Sequence, residues 1–115
     1  MGAAWHLPVA DLRSRLADAS GRYLQPFTHG SLRCVLYAPD GSDQQTPHRQ
    51  DELYVVTRGE GRFDRAGETV AFAPGDAMFV PAGAAHRFVE VTPDFECWAI
   101  FWGPPGGESD GNVGA

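Results

Sequence analysis

The stretch that decides the fold runs from residue 46 to residue 59 and reads TPHRQDELYVVTRG. Its apolar, β-branched second half predicts a strand that ends at a glycine. On an extended chain, side chains two positions apart point to the same face. Thr46, His48, Glu52 and Tyr54 all stand at even positions of this stretch, so their side chains can point to one face.

A second informative stretch, residues 75–86, reads GDAMFVPAGAAH. A short apolar run is followed by a Pro-Ala-Gly turn, after which His86 begins another strand. If the strands close into a barrel, the imidazole of His86 can lie opposite His48 and Glu52. The two stretches thus predict one polar site built from distant parts of the chain.

Together the two stretches resemble the two motifs of the cupin family. The first motif runs His-x-His, three or four residues, Glu, six residues, Gly, and it is matched in register from His48 onward. The second runs Gly, five residues, Pro-x-Gly, two residues, His, and it is matched through His86. Two positions depart from the family: Thr46 replaces the first histidine, and Glu90 replaces the final Asn of the second motif. The resemblance covers roughly residues 33–102.

This resemblance implies an all-β, jelly-roll barrel that binds one divalent metal ion through His48, Glu52 and His86. Thr46 stands where the family has a fourth ligand, so three protein ligands are expected. Two imidazoles and one carboxylate suit Fe, Mn, Ni or Zn, with open positions for substrate or dioxygen. The alternative is a cupin barrel that has lost its metal together with that histidine.

The rest of the chain agrees with a barrel. From residue 23 onward, short strand-like runs alternate with turns rich in Gly, Pro and Asp, a pattern typical of sandwiches and barrels. The clearest runs are 31–38, 52–58, 61–65, 68–72, 77–80, 86–91 and 95–102.

Apolar residues recur at helical spacing within residues 8–17, which predicts one short N-terminal helix. We divide the chain into a helical segment (1–22), a cupin barrel domain (23–103) and a flexible tail (104–115). The last run, residues 95–102, is apolar on nearly both faces. Its outer face needs cover from the helix or from a second subunit, which motivates the expectation of a homodimer.

Composition excludes several partners. The chain has 115 residues, 15 acidic against 9 basic side chains, and a formal net charge of −6. Nucleic acid and anionic membranes are therefore poor partners. The start lacks a basic, apolar leader, so we expect a cytoplasmic protein. Cys34 and Cys97 lie in apolar runs and are interpreted as buried thiols.

Individual residues leave alternatives open. Tyr54 shares the face of the ligands and is a candidate catalytic residue that contacts substrate, although a role as an aromatic core residue fits equally. Gln50 either orients a ligand or lies in a turn. Asp51 has the opposite parity to the ligands and is expected to face solvent.

Two function classes remain. The first is a metal-dependent enzyme of dioxygenase, isomerase or lyase type that acts on a small organic molecule. The second is a non-catalytic module that binds a sugar or carboxylate. The fold does not decide between them, because one fold hosts many activities.

Overall fold

The computed structural model describes residues 4–39 and 47–109, so Thr46 and residues 110–115 lie outside the described residues. Over the described part, the chain forms one α-helix, α1 (Val9–Leu16), one 3-10 turn (Ser20–Arg22) and eight strands. The strands are β1 (Tyr23–His29), β2 (Leu32–Tyr37), β3 (Asp51–Arg58), β4 (Gly61–Arg65), β5 (Glu68–Phe72), β6 (Ala77–Val80), β7 (His86–Val89) and β8 (Glu96–Trp102).

The strands form two antiparallel sheets with the orders β1-β2-β8-β3-β6 and β5-β4-β7. Their inner faces enclose one core rich in aromatic rings. Its buried members are Val35, Tyr54, Val56, Phe63, Phe72, Val80, Phe88, Phe95, Cys97, Ala99 and Phe101. The predicted all-β jelly-roll barrel with a short N-terminal helix is confirmed.

The predicted strands coincide with β2 to β8 to within two residues at each end. The strand that the sequence pattern does not delimit is β1. Proline has no N–H to donate to a ladder, and the pairing of β1 with β2 shifts register between Leu24 and Phe27, around Pro26. The alternation of side chains between the two faces of the strand is interrupted at this point, so the sequence pattern does not reveal β1.

Helix α1 covers part of the outer face of the larger sheet. Leu12 and Leu16 are buried against Leu36 of β2, and Trp98 of β8 packs against the same cluster. The cover that the last strand needs is therefore supplied in part by the chain itself. Within the described residues, no helix has the length and apolar character required to cross a membrane.

An ion pair fastens α1 to β8. Arg13 donates from Nε to Glu96 Oε2 over 2.7 Å and from Nη2 to Oε1 over 2.8 Å. Thr57 Oγ1 donates to the same carboxylate over 2.6 Å. Burial alone would raise the pKa of the Glu96 carboxyl, but these hydrogen bonds outweigh it and hold that pKa below its usual value.

We expect Arg13→Met to lower the free energy of unfolding by about 2 kcal/mol at neutral pH, because it leaves a buried carboxylate without its charged donor. Since the folded-state pKa of Glu96 is lowered, the pair stabilises the fold above the unfolded-state pKa. This contribution disappears as the pH falls through the folded-state pKa. Urea titrations of the parent and the variant at a series of pH values measure the difference. Arg15→Met, at an exposed position of the same helix, is the control, and an equal loss in both variants would contradict the argument.

Candidate metal centre

Three polar side chains from two distant parts of the chain meet inside the barrel. Glu52 lies in β3, where its Cα partners are Phe101 of β8 and Val80 of β6. His48 belongs to the segment before β3, and His86 is the first residue of β7 in the other sheet. Closure of the two sheets therefore assembles the cluster, as the sequence predicts.

The spacing of the three side chains suits a single ion. Glu52 Oε1 lies 3.4 Å from His86 Nε2 and 3.6 Å from His48 Nε2, and one ligand atom from each residue lies within 4.8 Å of the others. Two ligands bound at about 2.1 Å to one ion lie about 3.0 Å apart at a right angle and about 3.4 Å apart at the tetrahedral angle. The three residues are grouped as predicted, and their role as metal ligands stays a prediction.

Within this cluster, the buried Glu52 carboxylate is the group that a bound cation would stabilise most. The residue is 0% exposed. Neither Oε1 nor Oε2 has a hydrogen-bond partner within residues 4–39 and 47–109. A buried carboxylate without hydrogen bonds is strongly destabilised relative to one in water. A divalent ion between the carboxylate and the two imidazoles would remove that cost, so the residues present fit a metal.

The orientation of His86 is fixed by a backbone contact. Its Nδ1 lies 2.9 Å from the carbonyl oxygen of Ala84. A carbonyl oxygen only accepts hydrogen bonds, so Nδ1 carries the hydrogen and donates it. In the neutral ring, Nε2 then carries the lone pair and faces Glu52, which is the arrangement that a metal-binding histidine needs.

His48 lies at the mouth of the barrel. Its side chain is 29% exposed, and its ring contacts the ring of Phe101 at a centroid distance of 5.0 Å. The backbone N–H of Gly83 donates to the carbonyl oxygen of His48 over 2.8 Å. This bond joins the loop that carries His48 to the turn that precedes His86.

Asp51 is buried, so the expectation that it faces solvent is wrong. Its Oδ1 accepts the N–H of Ala82 and its Oδ2 that of Glu108, each over 2.9 Å. The chain after β8 returns over this side of β3, and a Cβ on Gly107 would lie only 2.7 Å from Asp51 Oδ1. Residues 104–109 therefore pack beside the site, and the mobility of the predicted tail stays a prediction.

Tyr54 lies inside the barrel, on the same strand as Glu52. It is 0% exposed, and its ring lies 4.8 Å from Phe88, 5.4 Å from Phe63 and 6.0 Å from His86 between centroids. These contacts agree with its interpretation as a core residue. Its catalytic role stays a prediction.

One of the two departures from the cupin motifs lies in the described part of the chain. Glu90 adopts a left-handed backbone with φ of +53°, a conformation that Asn tolerates better than Glu. Its carboxylate pairs on the surface with Arg62 Nε at 3.3 Å. The substitution therefore leaves the buried cluster untouched.

Comparison with known proteins agrees with this fold. Residues 33–102, more than half of the chain, match the family described as Cupin domain. The chain belongs to this family.

An uncharacterized protein of Streptomyces coelicolor is 36% identical over 97 residues, which cover 83% of this chain and 91% of that protein. Among solved structures, KdgF from a Halomonas species superposes with a TM-score of 0.64 at 24% identity, covering 70% of this chain and 77% of KdgF. A chain from the structures of the DMSP lyases RdDddP and RnDddQII superposes with a TM-score of 0.59 at 27% identity, covering 70% of this chain and 43% of the lyase chain.

Proposed function

We propose that this cupin binds one divalent transition metal ion, Fe, Mn, Ni or Zn, through His48, Glu52 and His86. We further propose that it is a metal-dependent enzyme of dioxygenase, isomerase or lyase type that acts on a small organic molecule. The observation that carries the metal is the fully buried Glu52 carboxylate, whose oxygens have no hydrogen bond from the described residues. Three protein ligands leave coordination positions for a substrate.

A bound ion of this kind supplies a Lewis acid that polarises a keto or hydroxy-acid oxygen. The residues of the chain hold and shield the site. The Ala84 carbonyl keeps the His86 ring in place, and Glu52 contributes the negative charge. The rings of Phe101 and Phe63 pack against the two histidines and exclude water from their apolar side.

Non-catalytic binding of a sugar or carboxylate is the second candidate. The observation that favours it is the complete burial of Tyr54, the residue predicted for catalysis, among Phe63 and Phe88. The lyase class has its own support, since one solved structure of similar fold contains DMSP lyases. An activity screen separates the two candidates.

The experiment that tests the metal is elemental analysis of protein purified without chelators. We expect close to one metal ion per chain in the parent and less than about a tenth of that in His86→Ala, because one of three ligands is lost. His29→Ala is the matched control, since His29 is exposed at the end of β1. A parent that stays metal-free after dialysis against Fe, Mn, Ni and Zn would sink the proposal.

To separate enzyme from binder, oxygen uptake and product formation are followed with β-diketones, aromatic diols, thiols and hydroxy acids. Turnover that requires the metal supports the enzyme. Saturable binding of a panel compound without turnover supports the module.

Two further parts of the proposal concern assembly and location. The outer face of β3 and β6 carries Leu53 beside Phe79. Phe79 is 45% exposed as a residue, and the centroid of its ring lies 6.1 Å from that of Trp102. We propose that two copies pair through this patch, and a monomer in sedimentation velocity at high concentration would contradict it. We also propose a cytoplasmic location, which fits the lack of a disulfide bond between Cys34 and Cys97 and which cell fractionation tests.

A further inference from the structure

An arginine, Arg33, lies on the same face of the larger sheet as Glu52, two strands away. Arg33 of β2 is the Cα partner of Phe101 in β8, and Phe101 is in turn the Cα partner of Glu52 in β3. Arg33 also shares its face with Val35, which belongs to the barrel core. Arg33, Phe101 and the proposed ligand Glu52 therefore lie side by side across three neighbouring strands.

The arginine and a proposed ligand share one aromatic ring. The guanidinium carbon of Arg33 lies 4.3 Å from the centroid of Phe101, and the ring of His48 lies 5.0 Å from the same centroid. Both Arg33 and His48 are partly exposed, so solvent reaches both side chains. Arg33 and the cluster of His48, Glu52 and His86 thus lie on the inner side of the larger sheet, linked through the ring of Phe101.

The guanidinium is held by neutral groups. Its Nε and Nη2 lie 3.4 Å and 3.2 Å from Gln50 Oε1, and its Nη1 lies 3.4 Å from Gln25 Oε1. Gln50 is itself fixed, because its Nε2 donates to the carbonyl oxygens of Ser31 and Gly103. These long contacts orient the fork and leave its charge uncompensated.

No carboxylate of the described ranges forms an ion pair with Arg33, whereas Arg13 and Arg62 each have one. An arginine fork matches the two oxygens of a carboxylate or phosphate group. In a chain of net charge −6, a positive group on the inner face also favours anions at this position over the rest of the surface.

We infer that Arg33 binds an anionic group of the substrate, a carboxylate or a phosphate, while the opposite end of the substrate binds the metal ion. This inference rests on the proposed function and narrows the substrate class to small acids with two anionic ends. Arg33 is then a specificity residue, and Gln50 is the positioning residue that holds it.

The test uses the full chain loaded with Co(II), whose visible absorption reports ligands that bind the ion. Two probes share one chelating head: 2-oxoglutarate carries a distal carboxylate, and 2-oxopentanoate does not. We expect 2-oxoglutarate to bind at least about tenfold more tightly in the parent, the value of one charge-assisted contact. In Arg33→Gln the two affinities should become equal within about a factor of two, while the metal content and the affinity for 2-oxopentanoate stay unchanged.

A third probe, 2-oxo-4-phosphonobutyrate, carries a distal phosphonate in place of the distal carboxylate and so distinguishes a carboxylate from a phosphate ligand. The probe that binds more tightly to the parent should show the larger loss of affinity in Arg33→Gln. Arg87→Gln, at an exposed position of β7, makes the same change in net charge and should leave all affinities unchanged.

If the parent binds the metal but has equal affinities for 2-oxoglutarate and 2-oxopentanoate, the role assigned to Arg33 is wrong. The proposed function is not affected by that result. Loss of the ion from Arg33→Gln but not from Arg87→Gln would show that Arg33 only supports the fold, and would also overturn it. A parent that binds no metal would overturn the proposed function and this inference together.

Discussion

Replacing Glu52 by glutamine should weaken metal binding and, in the metal-free protein, stabilise the fold. The amide keeps the shape of the side chain but removes the charge that attracts the ion, so we expect the metal affinity to fall roughly a hundredfold or more. The same change removes a fully buried charge that has no hydrogen bond from the described residues. The metal-free variant should therefore gain about 1–2 kcal/mol, or roughly 3–8 °C in the melting temperature.

The two effects are measured separately. Competition with a metallochromic chelator gives the affinity, and thermal unfolding in EDTA gives the stability of the metal-free state. Glu68→Gln, at an exposed position of β5, is the matched control and should change neither quantity. If Glu52→Gln retains the affinity of the parent, Glu52 is not a ligand. A variant less stable than the parent in EDTA would show that the carboxylate is already compensated without metal.

Among the glycines in the described part of the chain, Gly59 should tolerate replacement by alanine least. A Cβ at this position would lie 2.5 Å from Phe95 Cα and 2.8 Å from Phe95 N, and both are backbone atoms that cannot rotate away. The backbone of Gly59 also has a φ of +85°, which is strained for any L side chain. We expect a loss of about 3 kcal/mol or more in the free energy of unfolding.

Gly67→Ala separates the two causes of the expected loss of stability, the steric contact with Phe95 and the backbone strain of a positive φ. Gly67 has a similar φ of +89°, but an added Cβ would meet nothing within 4 Å. The expected loss of about 1 kcal/mol is backbone strain alone. Urea denaturation compares the two variants, and soluble yield at low temperature replaces it if Gly59→Ala does not fold. Equal losses would show that the contact with Phe95 is relieved by movement. The close approach gives a physical reason for a glycine at this position of the first cupin motif.

The parts of the fold that the sequence predicts well depend on local regularities. Strands β4, β5 and β6 begin and end where turn residues flank alternating runs, and the structure has the predicted bounds. The even spacing of His48 and Glu52 predicts a shared face because side chains of an extended chain alternate with a period of two. The pairing with His86 depends on barrel closure, which the two motifs together make predictable.

The features that the sequence did not reveal depend on contacts between distant segments. Alternation predicts that Asp51 points away from Glu52, but it does not predict that the chain after β8 returns to bury it. Arg33 shares the inward parity of Val35, a signal that was present in the sequence. Its importance emerges only from the pairing of β2 with β8 and β8 with β3, which places it next to Phe101.

The hydrogen bonds around Asp51 would affect which ion the proposed metal site accepts. The N–H groups of Ala82 and Glu108 donate to the Asp51 carboxylate, and the N–H of Gly83 donates to the carbonyl of His48. The backbone next to the proposed metal ligands is therefore held in place by several hydrogen bonds. If His48, Glu52 and His86 bind a metal ion as proposed, a backbone held in this way should adapt poorly to ions of different radius. The site should then select ions by size and preferred geometry.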